Sequence, residues 1–507
     1  MKNPVIIYLN RIIGKILILI LLLLCAALSP AAAAAENNGD LLSERTSADT
    51  PSNTLPVSLR EALLTALENN PTVTIQRLQP EIAGAYAGER RADYDPNLVA
   101  AASQKQEKTQ LTSERSQQYD VSLSQALPTG TVVSAGASMS GPVSGTSTDQ
   151  FSGKIDLTVT QSLLQGFGTG VNLANLRKAN LDVEISTEEL RAVAEQVAAN
   201  IEKAYWDLFL AAQEVEINEQ SLELARQQLR ESEERLKVGK LAALELAAVH
   251  AETSTRYEAL IDARSRKEQA RLQFIFLLNP DIENPWASSP LLVDEPFIPA
   301  DSLDEVAGHV KLGLKFRPDL RQAQLNLEKG ALDITLTRNG LLPQLDFFIT
   351  LGRTTYAQSF REAAPDVNSP FYSVNGGINF ALPVRNRKAR AQYAQAKLSQ
   401  QQKEISIDNM KRLVERDVRA AYAEVLRSKQ QIEATRVTHQ LQEKKWQAEL
   451  EKFRVGKTTN YLVLQAQRDL TAGRIDQAGA IIIHLKALIN LYLMEGTLLD
   501  RRGIKSL

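Results

Sequence analysis

Glycines at 166, 168 and 170, with Glu188 about 20 residues further on, are the residue types with which a dinucleotide-binding turn brings backbone N–H groups to a pyrophosphate and an acid to a ribose. The spacing does not serve that chemistry. Val171 stands where the third glycine belongs, and the preceding strand carries Lys154, Asp156, Thr158, Thr160 and Ser162 on one face, so it is not buried on both. His250, His309, His439 and His484 have no metal-ligand spacing, and neither a serine elbow nor a paired acid accompanies them. Cys25 is the only cysteine, which leaves no disulfide and no thiolate site, and Met139, Met410 and Met494 are too far apart for a soft-metal cluster. The expectation is a protein that is not an enzyme, with no cofactor and no metal.

The first residues assign a compartment. Lys2, Arg11 and Lys15 precede an apolar stretch from Ile16 to Ala27, and alanines at 31–35 follow it, which is the pattern of a secretory signal peptide over 1–35. A membrane-anchoring helix is the alternative; the alanine run and the polar segment after Glu36 favour cleavage. Leu23 and Leu24 precede Cys25 where a lipidation site needs small residues. Removing the leader's three cations leaves 58 − 3 = 55 basic against 60 acidic residues, a balance that suggests no nucleic-acid partner. No later segment offers about 18 uninterrupted apolar residues, so a mature chain that spans a membrane is expected to do so as a β-barrel.

The chain is duplicated. Pro71 to Pro96 and Pro318 to Pro343 both span 25 positions, and Tyr205, Val238-Gly239-Lys240 and Leu277 recur as Tyr422, Val455-Gly456-Lys457 and Met494, each displaced by 217. The expected organisation is a leader at 1–35, a disordered lead-in at 36–56, a first repeat at 57–279, a Pro-rich linker at 280–301, a second repeat at 302–499 and a tail at 500–507.

Each repeat reads as helix, strands, helix. Helices are expected at 58–69, 72–94, 174–237 and 242–278, and again at 302–316, 319–340, 387–454 and 459–495. From Val197, steps of 4 and 3 meet Ile201, Ala204, Leu208, Ala211, Val215, Asn218, Leu222, Ala225, Leu229, Ser232 and Leu236, a 3.5-residue period that belongs to a coiled coil. The second ladder, from Val414 through Ser428 to Phe453, turns polar towards its end, so looser packing is expected there. Both rods stop at Val-Gly-Lys and restart within a few residues, as hairpins with glycine at a left-handed cap.

Strands are expected over about 97–163 and 344–383. Ile155, Leu157 and Val159 alternate with polar neighbours, as do Val374, Ile378 and Phe380, and Leu345, Phe347, Ile349 and Leu351. One face suits lipid and the other water. Leu127-Pro128-Thr129-Gly130 reads as a turn between two further strands, so one chain supplies four strands or six; neither closes a wide barrel alone.

Duplication, paired strand insertions, heptad rods, Val-Gly tips and a leader together resemble the TolC-like outer-membrane efflux protein family over roughly Ser58 to Leu499. Gln161 to Gly168 is similar to that family's strand-to-helix junction, and Ala381-Leu382-Pro383-Val384 to its second-half counterpart. The resemblance implies an α+β membrane protein: a homotrimer whose β-barrel in outer-membrane lipid is continuous with a long α-helical coiled-coil tunnel through the periplasm. It implies docking of the tips, Val238, Gly239, Val455 and Gly456, on a periplasmic adaptor that couples the duct to an inner-membrane pump of a tripartite efflux or type I secretion system. It also implies an acidic gate residue six positions after the tip glycine. Glu245 occupies that position in the first half, and Leu462 in the second, with Gln465 where another acid often stands. The competing architecture is a trimeric adhesin-like surface protein with a coiled-coil stalk and small barrel. That arrangement keeps its strands at one end of the chain, whereas here they are inserted twice.

Overall fold

The computed structural model describes residues 54–108, 113–143, 150–239, 242–298 and 303–504. The leader, the lead-in up to residue 53, Lys240, Ser302 and residues 505–507 lie outside them.

The first repeat begins with β1 (Thr54–Val57), then α1 (Leu59–Asn69) and α2 (Pro71–Ala92). Ser58 and Glu61 form a capping box at the start of α1, the Ser58 Oγ accepting from the Glu61 N–H at 3.2 Å and a Glu61 carboxylate oxygen accepting from the Ser58 N–H at 2.9 Å. Asn70 ends α1 and caps α2, its side chain accepting from the Thr72 N–H at 3.0 Å with Pro71 in the first turn. Four strands follow, β2 (Asn97–Lys108), β3 (Ser113–Ala126), β4 (Thr131–Pro142) and β5 (Phe151–Ser162). A single turn, α3 (Thr169–Asn172), leads into α4 (Ala174–Lys237), and α5 (Ala243–Leu278) returns. The second repeat runs from β6 (Ser289–Leu292) through α6 (Val306–Phe316), α7 (Pro318–Asn339), β7 (Gln344–Ala357), β8 (Phe371–Ala381), α8 (Arg387–Arg454) and α9 (Asn460–Glu495) to α10 (Leu498–Arg501).

At about 1.5 Å per residue, the 64 residues of α4 and the 68 of α8 form rods of roughly 100 Å. The heptad ladder is the buried seam of α4: Val197, Ile201, Ala204, Leu208, Ala211, Val215, Asn218, Leu222, Ala225 and Ser232 are all buried. On α8 burial holds from Val414 to Ser428 and then weakens, with Ile432, Thr435, His439 and Trp446 only half-buried. The polar drift of that ladder has this as its structural counterpart. α4 packs against α5, α8 against α9, and α9 also lies along α4. By composition α9 could cross a membrane, with mean hydropathy 1.4 over its most apolar window. Its Leu470, Ile482, Leu485, Leu488, Ile489 and Leu491 are instead buried among helices.

Six strands, in the order β2-β3-β4-β5-β7-β8, form one antiparallel sheet that draws on both repeats. The expected turn at Leu127–Gly130 joins β3 to β4, and the open choice between four and six strands resolves to six.

Three expectations need correction. Thr54 to Pro56 belong to β1, which pairs in parallel with β6, so the end of the lead-in and part of the Pro-rich linker form a small sheet. The partners lie far apart in sequence, so neither segment carries a local signal for the other. The Tyr205 hydroxyl holds them, donating to the Val57 carbonyl at 3.3 Å and accepting from the Asp294 N–H at 3.0 Å. The helix expected from 302 begins at Val306, because the backbone at Glu305 is still non-helical, with φ −60° and ψ 144°.

Around that sheet the helices build the main core from Leu63, Ile201, Tyr205, Trp206, Phe274, Ile489 and Leu498. Two acids are sealed beside it. Arg502 forks onto Glu202 with two bonds of 2.7 Å. Glu195, 2% exposed, has Arg191 at 3.4 Å, and burial pushes its carboxyl up to about 7 against the lowering effect of that guanidinium. A folded-state pKa raised above the ordinary 4.5 contributes stability that is complete below 4.5 and is lost as pH climbs through about 7. Glu195→Gln removes this titration. Thermal unfolding in detergent between about pH 5 and 8 is expected to be flatter in the variant, which gains on the parent at the alkaline end by on the order of 2 kcal/mol.

Candidate functional site

The two hairpin tips are built alike. Val238 caps α4 with φ −90° and ψ 9°, and Val455 caps α8 with φ −94° and ψ 9°. The next residues, Gly239 at φ +70° and Gly456 at φ +73°, turn left-handed and donate back to the Leu236 and Phe453 carbonyls at 2.9 and 3.0 Å. At the second tip the Lys457 N–H also reaches the Lys452 carbonyl at 2.8 Å, which completes a Schellman motif. Open space surrounds both glycines, so the requirement for glycine is conformational and not one of room. Val238 and Val455 are each 66% exposed, and Leu244, Tyr461 and Leu462 are also exposed beside them. Each tip thus presents apolar side chains to solvent on a rigid cap.

Glu245 lies in the first turn of α5, exposed, where the helix N-terminus favours an anion. Leu462 and Gln465 are exposed at the matching end of α9. Glu252, one heptad beyond Glu245, is a different kind of residue. It is buried, with Arg256 at 2.7 Å in an ion contact that lacks hydrogen-bond alignment, and Arg468 of α9 lies 3.7 Å from its other oxygen. Gln228 of α4 donates to Asn460 of α9 at 2.5 Å, Ser221 lies 3.3 Å from Thr471, and Lys486 of α9 reaches Asp207 of α4 at 2.7 Å. These groups tie the first hairpin to the second along their length. The heptad pattern did not single them out, because each side chain is an ordinary coiled-coil polar residue until its partner 200 or more positions away is known. The Glu252 to Arg256 spacing of four was the one local signal.

The glycine-rich segment is a joint between strand and helix. The Gly166 N–H donates to Asn339 Oδ1 at 2.8 Å and the Gly168 N–H to the Thr129 carbonyl at 3.1 Å. The Asn172 amide gathers the carbonyls of Pro128, Gly166 and Gly168 at 3.2, 2.8 and 3.1 Å. The Gly166 and Gly168 N–H groups are thus already used within the joint.

The family model for outer membrane efflux proteins matches residues 62–279 and 310–497, both repeats. The chain belongs to that family. It is 25% identical over 344 residues to the outer membrane efflux protein BepC of Brucella suis, covering 67% of this chain and 71% of the relative. Its fold is similar to a membrane protein from Pseudomonas aeruginosa, with TM-score 0.68, 18% identity, and 86% and 93% of the two chains covered. It is also similar to the Campylobacter jejuni CmeC outer membrane channel, with TM-score 0.64, 17% identity, and 93% and 95% covered. This TolC-like efflux channel is therefore an outer-membrane protein, and membership of the family sets the adhesin-like alternative aside.

In the channel chain, Glu252→Gln leaves the Arg256 and Arg468 guanidiniums facing a neutral amide in a buried seam. The substitution is expected to cost about 3 kcal/mol, as breaking a buried pair does. Hydrogen exchange across 243–260 is expected to speed up in Glu252→Gln and to stay at the parental rate in Glu258→Gln, whose side chain is exposed.

Proposed function

We propose that three copies of this chain form one duct, an outer-membrane β-barrel continuous with an α-helical periplasmic tunnel, which passively carries substrates handed over by an inner-membrane pump and its periplasmic adaptor. The observation that carries the reading is a pair of coincident open edges. Among the described residues β2 and β8 each have a partner on one side only, so strands of 12 and 11 residues leave unpaired backbone groups at both edges. The helices contact in the order α2-α4-α7-α8, and α2 leads into β2 while β8 leads into α8. Both layers therefore end along the same two lines.

Apolar side chains stand unpartnered on those lines: Ile75, Leu78, Ile82 and Tyr86 at helical spacing on α2, and Leu398 and Ile405 on α8. A surface that joins one edge to the opposite edge of the next copy is heterologous and closes by rotation into a ring. Three copies of a six-stranded sheet make eighteen strands. With strands about 4.8 Å apart and tilted by about 40°, such a barrel is roughly 35 Å across its backbone, wide enough for an aqueous lumen. The polar ladder of Lys154, Asp156, Thr158 and Thr160 would line it, and Leu157, Val159, Val374 and Ile378 would face lipid.

The exposed tips, Val238, Gly239, Val455 and Gly456, stand at the ends of the rods that lead away from the sheet and are assigned to the adaptor. Gly239→Pro and Gly456→Pro force a φ near −65° on positions held near +70°. Cross-linking in outer membranes is expected to give a trimer for the parent and both variants, while export through the assembled pump system is lost. A monomer in the parent, or undiminished export in both variants, overturns the proposal.

Glu245 is assigned to the periplasmic mouth, where three copies within about a Debye length, ~8 Å, favour cations. In planar bilayers Glu245→Gln is expected to lower the cation preference of the trimer while Glu258→Gln leaves it unchanged.

A further inference from the structure

The segment between β7 and β8, residues 358–370, does not extend past the end of the sheet. It folds back onto one face. Ala363, fully buried, lies against Gly153 of β5, where any Cβ would collide with the Ala363 carbonyl. Phe360 packs edge-on against Tyr119 of β3 and Phe151 of β5, with ring centroids 5.4 and 6.1 Å apart. The Phe151 ring covers Gly141 of β4, so two glycines open the trough that the segment fills. At its far end the Arg353 guanidinium donates to the Ser369 carbonyl at 2.8 Å, and the Ser369 hydroxyl donates to the Thr354 carbonyl at 2.5 Å.

Strand register identifies the face. Gly153 precedes Ile155, Leu157 and Val159 on one side of β5; Tyr119 shares its side of β3 with Val121 and Leu123; Arg353 shares its side of β7 with Phe347, Ile349 and Leu351. All the anchors lie on the apolar face, at the end of the sheet away from the helices. The polar face, with Lys154, Asp156 and Thr158, is left uncovered by them. Phe360 and Val367 are still 40% and 42% exposed in the folded segment, with Arg361, Glu362 and Asp366 exposed between them.

We propose that residues 358–370 form a lipid-surface contact of the channel, lying against the outside of the wall at the boundary between headgroups and acyl chains of the outer leaflet. The proposal rests on the barrel reading, in which the apolar face meets lipid. Its occupant follows from continuity: the same face below carries exposed Val374, Ile378 and Phe380, and an aromatic set interleaved with charges sits where apolar chains give way to headgroups. A segment held there cannot also close the lumen from above. The exit mouth therefore stays free of it, and the segment fixes the depth of the barrel in the membrane.

The test places one added tryptophan at a time in the full-length trimer, reconstituted in phosphatidylcholine vesicles with brominated acyl chains. Trp206, Trp286 and Trp446 lie in the helices and linker, and the parent trimer supplies their background. Phe360→Trp and Val367→Trp are expected to lose emission most with bromines near the headgroup end of the chain. Val374→Trp should lose it most with deeper bromines, and Asn375→Trp, on the opposite face, should respond to aqueous iodide alone. If Val374→Trp is quenched by lipid and both segment variants respond only to iodide, the segment lies off the membrane and the proposal is overturned while the barrel stands. If Val374→Trp escapes lipid quenching, the barrel reading fails and the proposal with it. Two segment positions are used so that a misfolded single variant cannot decide the outcome.

Discussion

Unpaired backbone groups at the edges of the six-stranded sheet are the constraint on which the rest depends. In hydrocarbon an exposed N–H or C=O costs several kcal/mol, so an edge 11 or 12 residues long cannot be left open there. A sheet of six twisted strands does not close on itself with a lumen, and the chain carries the same open edges into its helical layer through α2 and α8. The exposed apolar stripes on these helices lie along the same two edges, where the proposed three-copy wall would cover them.

The helical half obeys a different rule. Rods of about 100 Å gain little from propensity and must bury a continuous seam, which α4 does with small residues that allow close approach. α8 buries its seam near the core and loosens towards the tip. Polar contacts between hairpins, Glu252 with Arg468 and Gln228 with Asn460, are placed where the apolar seam weakens. Such contacts define register more than they add stability, because each desolvates charge or amide for a modest return. The packing is densest in the middle of the rods, at Val197 to Ala211 of α4 and Val414 to Ser428 of α8, and more polar towards the tips.

Much of this was legible in the sequence, because the signals were local. Helix ends fell within a few residues of their expected positions, and α8 and its glycine tip needed only the heptad period and Val-Gly. The capping box at Ser58 and the Pro71 and Pro318 starts are short-range chemistry as well. The burial of Glu252 was not legible in the sequence, for the opposite reason. Only Arg468, more than 200 residues on, makes clear that its side of α5 faces another helix and not water.

The sequence by itself determined the duplication, the rods, the tips and the alternating strands, since periodicity and left-handed caps are properties of neighbouring residues. Only the tertiary structure decided that β3 and β4 join the sheet, that β1 and β6 pair across the whole first repeat, and which side of the sheet residues 358–370 cover. Alternation gives a strand two faces without saying which neighbour it pairs with or what lies on either face. Those choices depend on contacts between segments hundreds of residues apart, such as Thr54 with Ser289 and Phe151 with Ala357, and no local pattern of residues encodes them.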